Sequence, residues 1–430
     1  MGEYGIGVRA GTRTAVRTSG SRTGRAKLNQ LNVLLLGVGY FPAIISGDKN
    51  FFFRLVPIIA RSTAELLIVS INDQPGQASQ RVNGGTVPIY SIRRPFHRGS
   101  ADRYYASSGE LLDYRHTHGP VREALEKQAA VVASLPTLQA AIRARDVQIV
   151  HFMDNCGLAM PLIKRVFPGV RVSCSAPNYN QRPSLYRLYL KYGLGMLDRV
   201  VPYTEAYREK LESMGVPAKK LHLIRWGVPF QQKRLSQREK EQVRASLGIG
   251  ASSTLFVWSG YVQQVQEEDF FKTLEIARQV VRQHQHTEFV FAFKPLSYKD
   301  AYEQYSERRI TILPSITNFV DLLDTADFFL SPIGAVDSTV SPPLTWLEAM
   351  SLGTPVITTD VPGVDELVTH AETGYVAESF DSLPGVIRQA IHDTRRAEVS
   401  QGARDIVSRK YNIEDSAAEY VDMWSGMARE

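Results

Sequence analysis

Residues 331–375, SPIGAVDSTVSPPLTWLEAMSLGTPVITTDVPGVDELVTHAETGY, restrict the fold of this chain more than any other stretch. An apolar strand is predicted over 327–330, and it runs out into a loop carrying Gly334, Asp337, Ser338 and Thr339. A helix follows. Ser341 can cap it, Pro342 and Pro343 suit its first turn, and Gly353 stands just past its end. Residues 354–359 then read as a short buried strand, and Asp360-Val361-Pro362-Gly363 as a turn. Strand, loop, helix and strand make the repeating unit of an open α/β sheet, which binds ligands in a crevice at the carboxyl ends of its strands.

In such a crevice the N–H groups at the helix start, here those of Leu344 and Thr345, suit a phosphate. Glu348 falls inside the helix among Leu344, Leu347 and Met350, by the roughly 3.6-residue period. A carboxylate there needs partners, and a vicinal diol such as a ribose would supply two donors. On spacing alone a second reading stands beside it, a solvated carboxylate or one paired with a nearby arginine.

Leu347-Glu348-Ala349-Met350-Ser351-Leu352-Gly353-Thr354-Pro355-Val356-Ile357 resembles the LEAMAxGxPVV signature of the retaining glycosyltransferases of family four. Glu372-Thr373-Gly374-Tyr375-Val376 is similar to that family's downstream TGxLV. The resemblance implies the α/β fold called GT-B, two Rossmann-like domains facing a cleft, and weaker matches cover most of residues 31–410. It implies an acceptor-side domain over 31–228, a nucleotide-sugar-binding domain over 229–411 and a C-terminal helix over 412–430 that crosses back to the first domain. Residues 1–30 read from composition as a disordered basic tail, rich in Arg, Gly, Ser and Thr without an apolar segment.

The 430 residues suffice for two domains, and 43% hydrophobic with 22% charged residues is an ordinary soluble composition. No apolar run approaches the roughly 20 residues that span a bilayer. The longest candidate, 51–60, is interrupted by Arg54 and Pro57. No secretory leader is read, and Cys156 and Cys174 fit a reducing compartment, so the expected location is the cytoplasm. Charge is segregated. Residues 1–230 hold 31 Lys and Arg against 15 Asp and Glu, a net of +16, while the remainder holds 19 against 29, a net of −10. The first half is therefore expected to meet something anionic. No zinc pattern, RNA-binding signature or basic helix favours nucleic acid, which leaves an acidic acceptor or peripheral contact with the anionic inner face of a membrane.

In chain order, residues 31–36 form an apolar strand, and a loop with Gly47 leads into the apolar helix over 51–60. In the resembling family this first loop reaches toward the donor phosphates, and Gly47 matches its glycine. Residues 74–130 read as less regular, with basic and aromatic side chains clustered from Arg93 to Tyr105. A strand over 147–151 ends in His151, close to Asp154, and resembles the family's DVVHxH segment, with Met153 in place of the second histidine. His151 and Asp154 are thus candidates for a catalytic or acceptor-orienting role, weighed against a merely structural histidine. Residues 310–318 correspond to the segment whose backbone holds the nucleotide base, Ile316 being the matching residue. Residues 413–427 read as an amphipathic helix.

Two departures from the family stand out. After Gly260 the family places Arg and then Lys as a clamp on the donor diphosphate, where this chain has Tyr261 and Gln266. The second glutamate, eight residues before Glu348, is replaced by Val340. Lys294, at the end of an apolar strand, is the expected substitute cation, and Asp337 the expected substitute acid. The resemblance implies transfer of a sugar from a nucleotide sugar, UDP-linked by preference, to a glycan, lipid-linked or small-molecule acceptor with retention of configuration. With no DxD pair or His/Cys cluster at a strand end, no metal or other cofactor is expected. A nucleotide-sugar 2-epimerase and a catalytically inactive partner subunit are the alternatives.

Overall fold

The computed structural model describes residues 31–38, 47–72, 76–82, 85–93, 128–153, 159–176, 191–230, 234–260, 264–293, 300–313, 318–334 and 342–430. Their strands form two sheets. The first contains β1 (Asn32–Val38), β2 (Glu65–Asn72), β3 (Gly76–Val82), β4 (Gly85–Arg93), β5 (Ile149–Phe152), β6 (Arg171–Ser175) and β7 (Arg199–Val201), in the order β3-β4-β2-β1-β5-β6-β7. All neighbours pair in parallel except β3 and β4, an antiparallel hairpin at one edge. The second contains β8 (Thr254–Gly260), β9 (Thr287–Phe293), β10 (Ile310–Leu313), β11 (Phe328–Leu330), β12 (Val356–Thr359) and β13 (Gly374–Ala377), in the order β10-β9-β8-β11-β12-β13, wholly parallel. Parallel strands are buried on both faces, which is why Val33–Leu36 and Leu255–Val257 are continuously apolar and continuously buried. With helices between the strands, these are two Rossmann-like domains, the GT-B arrangement.

The helices that matter for the site are α1 (Gly47–Ile59), α2 (Glu205–Ser213), α3 (Gln237–Ser246), α4 (Gln264–Gln283), α5 (Phe319–Thr325), α6 (Leu344–Ser351), α7 (Arg396–Lys410) and α8 (Ile413–Arg429). The N-cap of α6 is Pro343, in an extended conformation, so the helix starts later than the proline pair suggests; Ser341 lies outside the described residues. Gly353 does end it, at φ 79°, a left-handed conformation that favours glycine. The hairpin of β3 and β4 occupies part of the span expected to be irregular. Its outer strand, GQASQRV, is polar enough to hide a strand pattern, as edge strands often are.

Although α8 is the last element of the chain, it packs on the first domain. Tyr420 and Trp424 are fully buried there against α1 and β5. The chain returns at Gly227, where Val228 N–H donates to Tyr411 O at 2.9 Å and Ile413 N–H to Val228 O at 3.2 Å. A second junction lies at the carboxyl ends of the sheets. The carboxylate of Glu366 accepts from the backbone N–H groups of Glu205 and Ala206, both at 3.0 Å, and so caps the first turn of α2 from the other domain. Since α2 follows β7 and Glu366 follows β12, the carboxyl ends of the two sheets face each other across the cleft.

Candidate functional site

The cleft is built where α1, leaving β1, meets α6, leaving β11. Several contacts set the position of α6. Trp346 Nε1–H donates to Ser331 Oγ at 2.8 Å, tying the first turn of α6 to the end of β11. Thr359 Oγ1 accepts from Ile333 N–H at 2.8 Å and donates to Ile333 O at 2.7 Å, which fixes the start of the following loop. Gly334 N–H donates to Asp269 of α4 at 2.9 Å, and burial raises the Asp269 carboxyl above its usual range. A side chain at Gly334 would run into that carboxylate, with a Cβ only 2.3 Å from Asp269 Oδ1.

On this frame Glu348 faces the first domain. Its Oε1 lies 2.5 Å from Arg54 Nη2, with side-chain exposures of 15% for Glu348 and 35% for Arg54. The two line a cavity of about 330 Å³ together with Asn318, Phe319, Val320 and Asp321, the first turn of α5. That volume falls near the lower end of roughly 300–1,000 Å³ for small-molecule sites. The sequence pointed to Glu348 but not to Arg54. The one signal was a lone arginine inside the apolar run FFFRLVPII. Leu344 and Thr345 bury their side chains, so the start of α6 offers its backbone N–H groups, and the N-cap residue, Pro343, has no side-chain group to cap them. Gly47 opens α1. Asp154, Lys294, Ile316 and Asp337 lie outside the described residues, as do Tyr261, Val340 and residues 1–30.

His151 does not face the cleft. It is fully buried, with Nδ1 at 2.8 Å from Ser173 Oγ and Nε2 at 3.0 Å from Ser175 Oγ. Phe52, Tyr420 and Trp424 surround it at ring-centroid distances of 5.6, 5.3 and 5.3 Å. With both nitrogens engaged and no exposed surface, the expected acid–base role is corrected to a structural one: His151 joins β5, β6 and α8. Burial pushes its imidazole down to about 3. An unfolded His151 binds a proton below about 6.5, whereas the folded one stays neutral down to about 3. Its contribution to stability is therefore complete above pH 6.5 and is lost as the pH falls toward 3, by at most about 1.4 kcal/mol per pH unit. In denaturant titrations from pH 7 to 4, His151→Gln is expected to be less stable than the parent at pH 7 and to lose less stability on acidification. Parallel curves for the two proteins would remove this assignment.

Among the described residues, no group of three or more His, Cys, Asp or Glu is placed to hold a metal ion, and no helix is long and apolar enough to cross a membrane.

Comparison with known proteins agrees with this frame. Residues 253–393 match the family described as "Glycosyl transferases group 1". AmsK of Erwinia amylovora, named an amylovoran biosynthesis glycosyltransferase, is 25% identical over 367 residues, 78% of this chain and 77% of its own. WcaL of Salmonella typhimurium, which bears the name of a colanic acid biosynthesis glycosyltransferase, is 24% identical over 293 residues, 62% of this chain and 67% of its own. The structure of HepE from Anabaena, solved with UDP and glucose, superposes with a TM-score of 0.64 over 92% of this chain and 100% of HepE, at 13% identity, which speaks for the fold alone. The matched segment is thus seated in a double Rossmann-like frame of the GT-B fold, and residues 253–393 of its second domain are similar to the group 1 glycosyltransferases.

Proposed function

We propose that this protein transfers a sugar from a nucleotide-sugar donor, UDP-linked by preference, to an acceptor hydroxyl during assembly of a polysaccharide, with retention of configuration. The observation that carries the reading is the position of Glu348 in the cavity it shares with the first turn of α5. A nucleoside lying there would place its ribose hydroxyls on a half-buried carboxylate able to accept from both. Its base would lie toward Asn318 and Phe319, next to the segment from which family resemblance expects base contacts. Donor phosphates would then meet the N–H groups at the start of α6, which would stabilise the developing charge. The names of AmsK and WcaL support a polysaccharide context, and HepE, solved with UDP, supports the nucleotide.

Release of nucleoside diphosphate in a screen of UDP-, GDP- and ADP-sugars tests the reaction. Glu348→Gln is expected to weaken donor binding by about 1–3 kcal/mol, the range for a mismatched buried acceptor, with the fold retained. Calorimetry showing the parent's affinity in this variant would take Glu348 out of the site. Interconversion of the sugar nucleotide without transfer would point instead to an epimerase.

A further inference from the structure

We propose that Arg54 receives the diphosphate of the donor, reaching it by an exchange of partners in which Glu348 gives up Arg54 as it takes the ribose hydroxyls. The inference rests on the nucleotide reading above. Among the described residues lining the cavity, Arg54 alone is cationic, facing the acids Asp321 and Glu348. It also comes from the first domain, while the other five belong to the second. Where the family carries its two phosphate-binding cations this chain has Tyr261 and Gln266, neither of them charged. A diphosphate in this cleft therefore needs a cation from elsewhere, and α1 already presents one at the edge of the ribose position.

The energetics favour a swap over a simple opening. A guanidinium held on a half-buried carboxylate is left unbalanced if that carboxylate turns to another ligand. A nucleoside diphosphate restores the balance, because its phosphates lie one ribose away from Glu348 and suit the planar fork of an arginine. A bare nucleoside takes Glu348 and offers Arg54 nothing. Diphosphate and nucleoside should thus respond to the loss of Arg54 in different ways, which a residue that merely shapes the pocket would not produce. The exchange also draws α1 of the first domain onto a ligand held by the second.

The experiment is calorimetry on the full chain, using whichever of UDP, GDP or ADP the parent binds best, and the matching nucleoside. Arg54→Ala is expected to weaken the diphosphate by about 10- to 100-fold, the scale of one charge-assisted contact, and to leave the nucleoside unchanged or tighter. Arg54→Lys, which keeps a point charge, is expected to remain within about tenfold of the parent for the diphosphate. If Arg54→Ala does not fold, Arg54→Gln removes the charge while keeping most of the stem. An equal loss for both ligands, or no loss for the diphosphate, overturns the exchange and leaves the nucleotide reading standing. A parent that binds none of the three diphosphates overturns the nucleotide reading and this inference with it.

Discussion

Gly227→Ala is expected to destabilise the protein by about 3 kcal/mol or more, at or beyond the upper end of ordinary overpacking. A Cβ at this position would stand 2.4 Å from Ile413 Cα, 2.5 Å from Ile413 N and 2.6 Å from Asn412 C. These are backbone atoms, so no rotamer change relieves the clash. The segments that would have to part are joined by the hydrogen bonds of Val228 with Tyr411 and Ile413, where the chain re-enters the first domain. Separation there should release α8, visible as early proteolysis after Lys410 and a lowered denaturation midpoint. Gly426→Ala is the control. An added methyl meets nothing within 4 Å at that site, and alanine inside a helix should stabilise by about 0.5–1 kcal/mol. A Gly227→Ala protein as stable as its parent would show that the two segments are free to move apart.

Trp424→Ala is expected to cost about 3–5 kcal/mol, the usual range for removing a buried tryptophan. Trp424 is wholly buried, packs on Tyr420 and His151 with centroids 5.3 Å away in each case, and donates from Nε1 to Ser173 Oγ at 3.3 Å. Its loss opens the cage around His151 to water. The imidazole, pushed down to about 3 by burial, should then titrate closer to 6.5. Histidine NMR signals across a pH series would report the shift, and denaturant unfolding would report the stability. Trp424→Phe should cost less and leave His151 neutral at pH 6. Full stability in Trp424→Ala would mean that α8 contributes little to the first domain.

The architecture was legible wherever burial on both faces forces an apolar run. The strand at 31–36 could be read from its apolar run, and the helix before Gly353 from the glycine that ends it. The β3–β4 hairpin could not, since an edge strand of Gln, Ser and Arg satisfies its backbone without an apolar face. Of the site, Glu348 was legible from its helical position, but its partner was not. Arg54 and Glu348 lie far apart in the chain and on different domains, and no local pattern encodes how domains meet. Glu366 is similar: nothing in its neighbourhood announces that it caps a helix in the other domain. His151 was misread for the complementary reason. A strand-end histidine looks available until the last helix of the chain is laid over it.

That last helix has a consequence for biosynthesis. β5 is translated long before the segment that covers it, since Ile413 follows Phe152 by 261 residues. At roughly 5–20 residues per second the interval is about 13 to 52 s. Throughout it, Phe52, His151 and the inner face of α1 lack their cover, and the nascent first domain presents an apolar, histidine-floored trough. Until the chain is complete, that trough is a surface for chaperones to protect and for neighbouring nascent chains to misuse.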